Sequence, residues 1–78
     1  MNPSDKIVIT GGAGLVGQNL IVRLKQRGYT HLVAIDKHHT NTATLRRLHP
    51  EVTVIEADLA EPGARESAFA GASTVVLH

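Results

Sequence analysis

The chain has 78 residues and no cysteine, which excludes disulfide-stapled secreted folds, cysteine-based zinc modules and thiol enzymes. Its hydrophobic content of 42% is ordinary for one small globular domain, and its net charge of +1 gives no reason to expect nucleic acid or an anionic membrane as a partner. Because the start resembles no signal peptide and no apolar run is long enough to span a bilayer, we expect a cytoplasmic protein.

The first predicted elements are a strand, a glycine-rich turn and a helix. Residues 6–10 form a β-branched apolar run that ends in glycines, which is typical of a buried parallel strand. In residues 15–27 apolar side chains recur at helical spacing, and cations precede Gly28, so we predict a helix that ends there. The predicted apolar face of this helix consists of Val16, Leu20, Ile21 and Leu24.

The rest of the chain continues the alternation of strand and helix. The predicted elements are a strand at 32–36, a polar loop at 37–42, a short helix at 44–48, a strand at 52–56, a helix from Glu61-Pro62 to about Ala70, and a strand at 74–77. This β-α-β-α-β-α-β order predicts an α/β fold of the Rossmann type. We expect a parallel sheet with strand order 3-2-1-4 and right-handed crossover helices.

The glycines lie where the first strand is predicted to turn into the first helix. Gly11 would permit a tight turn, Gly14 would let the backbone approach a pyrophosphate, and Gly17 would let helix and strand pack closely. The N–H groups at the start of the helix would complete an anion site without a charged side chain. This context predicts a dinucleotide-binding loop, with a glycine-rich turn that binds nothing as the alternative.

Asp36 ends the second predicted strand, about 20 residues beyond the glycine loop, as dinucleotide-binding folds require. Its carboxylate could accept hydrogen bonds from both hydroxyls of an adenosine ribose and would repel a 2′-phosphate. The residue therefore favours NAD over NADP, although Lys37 and His38 would soften the repulsion. The alternative is a solvated loop carboxylate.

The chain resembles the N-terminal part of the extended short-chain dehydrogenase/reductases, the NAD-dependent epimerase/dehydratase family that acts on nucleotide-sugars. The resemblance rests on the glycine loop, Asp36, Asp58-Leu59 and the Val-Val-Leu-His of residues 75–78. The resemblance implies that Leu15 and Val16 help to hold the pyrophosphate and that Asp58 and Leu59 hold the adenine. Asp58 could also cap a helix, either in place of the adenine contact or together with it. His78 corresponds to the family's histidine at the end of the fourth strand.

The resemblance also implies the ligands and the extent of the protein. NAD is the expected cofactor, with NADP less favoured, a nucleotide-sugar is the expected substrate, and a homodimer is the expected assembly. Residues 1–78 would be the N-terminal half of an NAD(P)-binding Rossmann domain, with the catalytic and substrate-binding parts outside this sequence. The expected cofactor-binding residues are Gly11, Gly14, Leu15, Val16, Gly17, Asp36, Lys37, Asp58 and Leu59.

No catalytic or metal-binding residue is predicted. The family transfers protons with a Tyr-x-x-x-Lys pair, whereas Tyr29, the single tyrosine, is followed at the fourth position by Val33. The five histidines lack the spacing of a zinc site. Two hypotheses therefore stay open: the cofactor-binding segment of an enzyme, or a non-catalytic dinucleotide sensor. A flavin-dependent enzyme is disfavoured by the glycine spacing and by Asp58-Leu59.

Overall fold

The computed structural model describes residues 2–76 as strands alternating with helices. The elements are β1 (Ile7–Thr10), α1 (Leu15–Gln26), β2 (Leu32–Asp36), α2 (His39–Leu48), β3 (Thr53–Glu56), α3 (Ala64–Phe69) and β4 (Thr74–Val76). The strands form one parallel sheet in the order β3-β2-β1-β4, which confirms the predicted Rossmann-type fold and strand order. Leu77 and His78, which we expected at the end of the fourth strand, lie outside the described residues.

The sheet is covered on both faces, which explains why β1 and β2 are buried along their whole length and apolar up to their last residues, Thr10 and Asp36. Alternate residues of a strand point to opposite faces. Ile7 and Ile9 therefore pack in one cluster with Ile21 of α1 and Leu45 of α2. Val8 packs on the opposite face, in the cluster of Ala68 from α3.

α1 is the longest helix of residues 2–76, with 12 residues, and no helix in that range is long and apolar enough to cross a membrane. Its buried face is narrower than the sequence predicts. Ile21 is fully buried, and Leu20 and Leu24 pack against the same cluster. Val16, predicted to share this face, is instead 57% exposed in the first turn of the helix.

α2 begins at His39, so the prediction of a loop over 37–42 and a helix from 44 was wrong. The first backbone bond of the helix joins the N–H of Thr42 to the carbonyl oxygen of His38 over 3.0 Å. Thr42 and Leu45, three residues apart, turn inward and are fully buried. The sequence pattern failed because this helix packs through a threonine, whose polarity is typical of a loop.

α3 begins at Ala64, later than the predicted start at Glu61-Pro62. Gly63 has a φ of +83°, which a right-handed helix does not permit, so the helix begins only after it. The preceding residues form turns, in which the N–H of Glu61 donates to the carbonyl oxygen of Asp58 over 3.0 Å.

Candidate functional site

A cleft of about 450 Å³ opens where β1, β2 and β3 end and their connecting loops begin. In a parallel sheet, this carboxyl edge is where α/β folds bind ligands. Six of the nine expected cofactor-binding residues meet there. The lining consists of Thr10, Gly11, Gly14, Ile35, Asp36, Lys37, His38, Asn41, Ala57, Asp58 and Leu59.

The glycine loop is fastened to the neighbouring strand by its own backbone. Gly11 has a φ of +66°, a left-handed conformation that disfavours any side chain. In this conformation its N–H donates to the carbonyl oxygen of Ile35 over 2.7 Å, and its own carbonyl accepts from the N–H of Gly14 over 3.2 Å. The loop therefore forms a tight turn over the end of β2.

The start of α1 presents backbone donors beside this turn. The N–H of Gln18 reaches the carbonyl oxygen of Gly14 over 2.9 Å, the first bond of the helix. Helical geometry then leaves the N–H groups of Leu15, Val16 and Gly17 without an acceptor inside the helix, at the positive end of its dipole. The side chains of Leu15 and Val16 are exposed and do not line the cleft, so these two residues offer backbone groups alone.

Gly17 is buried below the loop, and its close contact differs from the predicted one. A Cβ on Gly17 would lie 2.5 Å from the Cα of Gly12, so the helix packs against the loop and not directly against a strand. The contact with a strand belongs to Gly12, where a Cβ would lie 2.8 Å from the Cβ of Ala34 in β2. The sequence analysis missed Gly12, although its place in a glycine doublet was the available signal.

Asp36 is 7% exposed and lines the cleft at the end of β2. Its Oδ1 accepts a hydrogen bond from the N–H of His38 over 2.9 Å, which fixes the orientation of the carboxylate. An ionised carboxylate has about four acceptor positions, so this bond leaves capacity for the hydroxyls of a diol. Lys37 and His38 are exposed at the mouth of the cleft.

Asp58 and Leu59 are half-buried on the opposite wall of the cleft, beyond β3. Oδ1 of Asp58 accepts from the N–H of Ala60 over 2.9 Å and so stabilises the turn that follows. The residue that caps α3 is Gly63, so the alternative in which Asp58 caps this helix was wrong.

Asn41 lines the cleft from the first turn of α2 and was missed because that turn was predicted as a loop. Behind it, Oε1 of Glu56 accepts hydrogen bonds from the Thr42 hydroxyl over 2.8 Å and from Nδ1 of His39 over 2.9 Å. These two bonds, the threonine bond foremost, hold the pKa of the Glu56 carboxyl below its ordinary value.

Comparison with known proteins adds a family match to this geometry. The sequence model of the NAD dependent epimerase/dehydratase family matches residues 7–78. The chain is 48% identical over 33 residues to ADP-L-glycero-D-manno-heptose-6-epimerase of Cupriavidus pinatubonensis, a match that covers 42% of the chain and 10% of that protein.

Two longer matches are to enzymes with other names. The bifunctional dihydroflavonol 4-reductase/flavanone 4-reductase of Pyrus communis is 31% identical over 92% of the chain and 22% of its own length. The 3 beta-hydroxysteroid dehydrogenase/Delta 5-->4-isomerase of Mycobacterium tuberculosis is 31% identical over 90% of the chain and 18% of its own length. The chain thus spans about a tenth to a fifth of the length of these relatives.

Solved structures share the fold. The enzyme WbmG of Bordetella bronchiseptica, solved in complex with NAD, superimposes with a TM-score of 0.77 at 31% identity. Pen from Bacillus thuringiensis superimposes with a TM-score of 0.82 at 19% identity, a likeness of fold alone. Each match covers 96% of this chain and 24% of the other.

Proposed function

Because the chain belongs to the NAD dependent epimerase/dehydratase family, we propose that it binds the adenosine and pyrophosphate of NAD for an epimerase or dehydratase. The observation that carries this proposal is the cleft itself, which brings together the glycine loop, Asp36 and Asp58 from three different strand ends. Residues 1–78 would form the N-terminal half of the NAD-binding domain.

The pyrophosphate would lie against the glycine loop and the start of α1. Gly14 lines the cleft, and a side chain there would occupy the space that the phosphates need. The free N–H groups of Leu15, Val16 and Gly17 would donate to the phosphate oxygens, with support from the helix dipole. This site needs no cation, which agrees with the absence of lysine and arginine from residues 10–17.

The adenosine would lie between the second and third strand ends. Asp36, already oriented by the N–H of His38, would accept from the two ribose hydroxyls, and its charge would disfavour the 2′-phosphate of NADP. Lys37 would lie at the mouth of this site. The Asp58 carboxylate would accept from the exocyclic amine of adenine while the N–H of Leu59 donates to a ring nitrogen.

The role of these residues in the reaction is to bind and orient. NAD, when bound, would supply the hydride acceptor at its nicotinamide ring. The rigid contacts at the adenosine end would place that ring relative to the substrate, since anchoring a remote part of a ligand lowers the entropic cost of a correct approach. Proton transfer would need groups other than those of residues 1–78, which contain no Tyr-x-x-x-Lys pair.

The proposed substrate is a nucleotide-sugar, supported by the similarity to the heptose epimerase. A second candidate is a hydroxyl or ketone of a larger ring compound, favoured by the longer matches to the dihydroflavonol reductase and the hydroxysteroid dehydrogenase. The residues of the cleft do not distinguish the two, because both classes would use the same adenosine end of the cofactor.

The test uses the intact protein. Calorimetric titration should show NAD binding more tightly than NADP, and NAD-loaded protein should then be given nucleotide-sugars in one arm and hydroxysteroids or flavonoid ketones in the other. Epimerised or dehydrated sugar supports the proposal, and turnover in the second arm alone supports the second candidate. NAD binding without any turnover supports a sensor, whereas no binding of either dinucleotide overturns the proposal.

A further inference from the structure

The segment that joins β2 to α2 is fastened to the end of β3 at two places. The N–H of Ala57 donates to the carbonyl oxygen of Asp36 over 3.1 Å, which extends the pairing of the two strands. Six residues after Asp36, the Thr42 hydroxyl lies 2.8 Å from Oε1 of Glu56. The segment 36–42 is therefore held at its two ends by Glu56 and Ala57, which are consecutive in the chain.

Thr42 is buried completely, yet it is a polar residue. Its Oγ1 lies 2.9 Å from the carbonyl oxygen of His39 as well as 2.8 Å from Oε1 of Glu56, so its one proton serves two acceptors. Its N–H makes the first backbone bond of α2, to the carbonyl oxygen of His38. Thr42 thus bonds to the backbone of the first turn of α2, and its bond to Glu56 ties this turn to the end of β3.

The start of α2 is also bonded to the carboxylate of Asp36 in the cleft. The N–H of His38, the residue that precedes α2, donates to Oδ1 of Asp36 over 2.9 Å. The position of this amide depends on where α2 begins, and Thr42 and Glu56 fix that beginning. A continuous series of hydrogen bonds therefore leads from Glu56 through Thr42 and the first turn to Asp36.

We propose that Thr42 and Glu56 are positioning residues of the cofactor site, which act by holding the His38 amide against the Asp36 carboxylate. The inference rests on the proposed function, since it takes the cleft to be occupied by an adenosine ribose. Neither residue lines the cleft. They would therefore affect binding only through Asp36 and the ribose hydroxyls that it would accept from. The test accordingly compares ligands that differ in a ribose hydroxyl.

The test compares NAD with its analogue that carries 2′-deoxyadenosine, bound to the intact protein. Thr42→Val keeps the shape of the side chain and removes its hydroxyl, and Thr42→Ser returns the hydroxyl. The matched control is Thr44→Val in the same helix, because the Thr44 hydroxyl bonds the carbonyl oxygen of Thr40 and does not reach the sheet.

The expected result is a loss selective for the ribose hydroxyl. Thr42→Val should raise the Kd of NAD by about three- to tenfold, as the loss of one hydrogen bond implies, and raise the Kd of the deoxy analogue by less, because the analogue keeps one of the two hydroxyls that Asp36 would accept from. Thr42→Ser should restore the affinity for NAD, and Thr44→Val should match the wild type. Thermal melts of each variant establish that the fold is intact.

Several outcomes would overturn the inference. Equal weakening of NAD and the analogue would show that Thr42 acts on stability alone, and unchanged affinity for both would show that it does not act on the site. If Thr42→Val fails to fold, Glu56→Ala replaces it, because alanine removes the acceptor of the Thr42 hydroxyl, with the same selective loss expected and the same contrary outcomes. A wild-type protein that binds neither ligand would instead refute the proposed function.

Discussion

Gly17 of α1 and Gly12 of the glycine loop lie backbone to backbone, since a Cβ on Gly17 would come within 2.5 Å of the Cα of Gly12. This contact sets the distance between the glycine loop and the start of α1, the part of the helix that would face the pyrophosphate. A methyl group there has only main-chain atoms to displace, and main chain yields less readily than a flexible side chain.

We expect Gly17→Ala and Gly14→Ala to have different consequences. Gly17→Ala should destabilise the fold by about 1–3 kcal/mol, the usual cost of overpacking. A Cβ on Gly14 would meet the carbonyl oxygen of Gly11 at 3.5 Å, an ordinary contact, and would narrow the cleft. Gly14→Ala should therefore keep its melting temperature and lose NAD affinity. Thermal melts paired with NAD titration check this, and equal destabilisation by both substitutions would contradict it.

Asp36 can be tested with two substitutions that separate its charge from its bond to His38. Asp36→Ala should weaken NAD binding by about ten- to a hundredfold, because a charge-assisted contact is lost. Asp36→Asn keeps an oxygen that can accept from the N–H of His38 but has no charge, so it should bind NADP better than the wild type does. Titration of both dinucleotides into each variant measures this, with Asp5→Ala as the control, because Asp5 precedes β1 and does not line the cleft. An unchanged preference in Asp36→Asn would show that the charge does not select the cofactor.

The core prediction concerns Ile21, which is fully buried between α1 and the sheet. Ile21→Ala should lower the free energy of unfolding by about 2–5 kcal/mol, because it removes buried methyl groups and leaves a cavity. Val22 is the matched control, since it is adjacent in the helix and 39% exposed. Urea unfolding should show a much smaller loss for Val22→Ala. Similar losses in both variants would mean that α1 is rotated relative to its position here.

Acid sensitivity should arise at the opposite end of α1. The Lys25 ammonium contacts Oε1 of Glu51 and holds the pKa of that carboxyl below its ordinary value of 4.5, with a smaller contribution from His49. Because the pKa is lower in the folded state, this contribution is complete above the ordinary value and is lost as the pH falls through the lowered one. Glu51→Gln should therefore be less stable than the wild type near pH 7, and the difference should diminish as the pH falls below 4.5. Urea unfolding across this pH range tests this, with the exposed Glu61→Gln as control.

The sequence predicted those parts of the fold in which apolar residues are buried and polar residues lie in turns or on the surface. β1 and β2 are apolar up to their last residues, Thr10 and Asp36, and lie between turn residues, so their burial and parallel pairing followed directly. α2 was predicted too short, because its inward-facing Thr42 is accommodated by the carboxylate of Glu56, which lies 14 residues away. No local pattern reports a hydrogen bond made by a distant part of the chain.

In the candidate site too, some residues were predictable from local sequence and others depend on distant contacts. Gly11 and Asp36 were predicted because each lies at the end of a strand, and Gly14 because it directly precedes a helix, each with a residue type that the site requires. Gly12 was missed, because its necessity comes from Ala34 in another strand. Asn41 was missed with the helix that carries it. The residues that face the cleft from regular positions were predictable, and those defined by tertiary contacts were not.

The surroundings of Gly12 also limit how this protein could change during evolution. A Cβ at this position would meet the Cβ of Ala34 at 2.8 Å and the carbonyl oxygen of Ile9 at 2.9 Å. Replacement of Ala34 by glycine would relieve the first conflict, but no substitution removes a main-chain carbonyl. A second mutation in β2 therefore cannot rescue the loss of Gly12, and this position is closed to gradual exchange, whereas the roomier Gly14 remains open to it in any descendant that gives up its ligand.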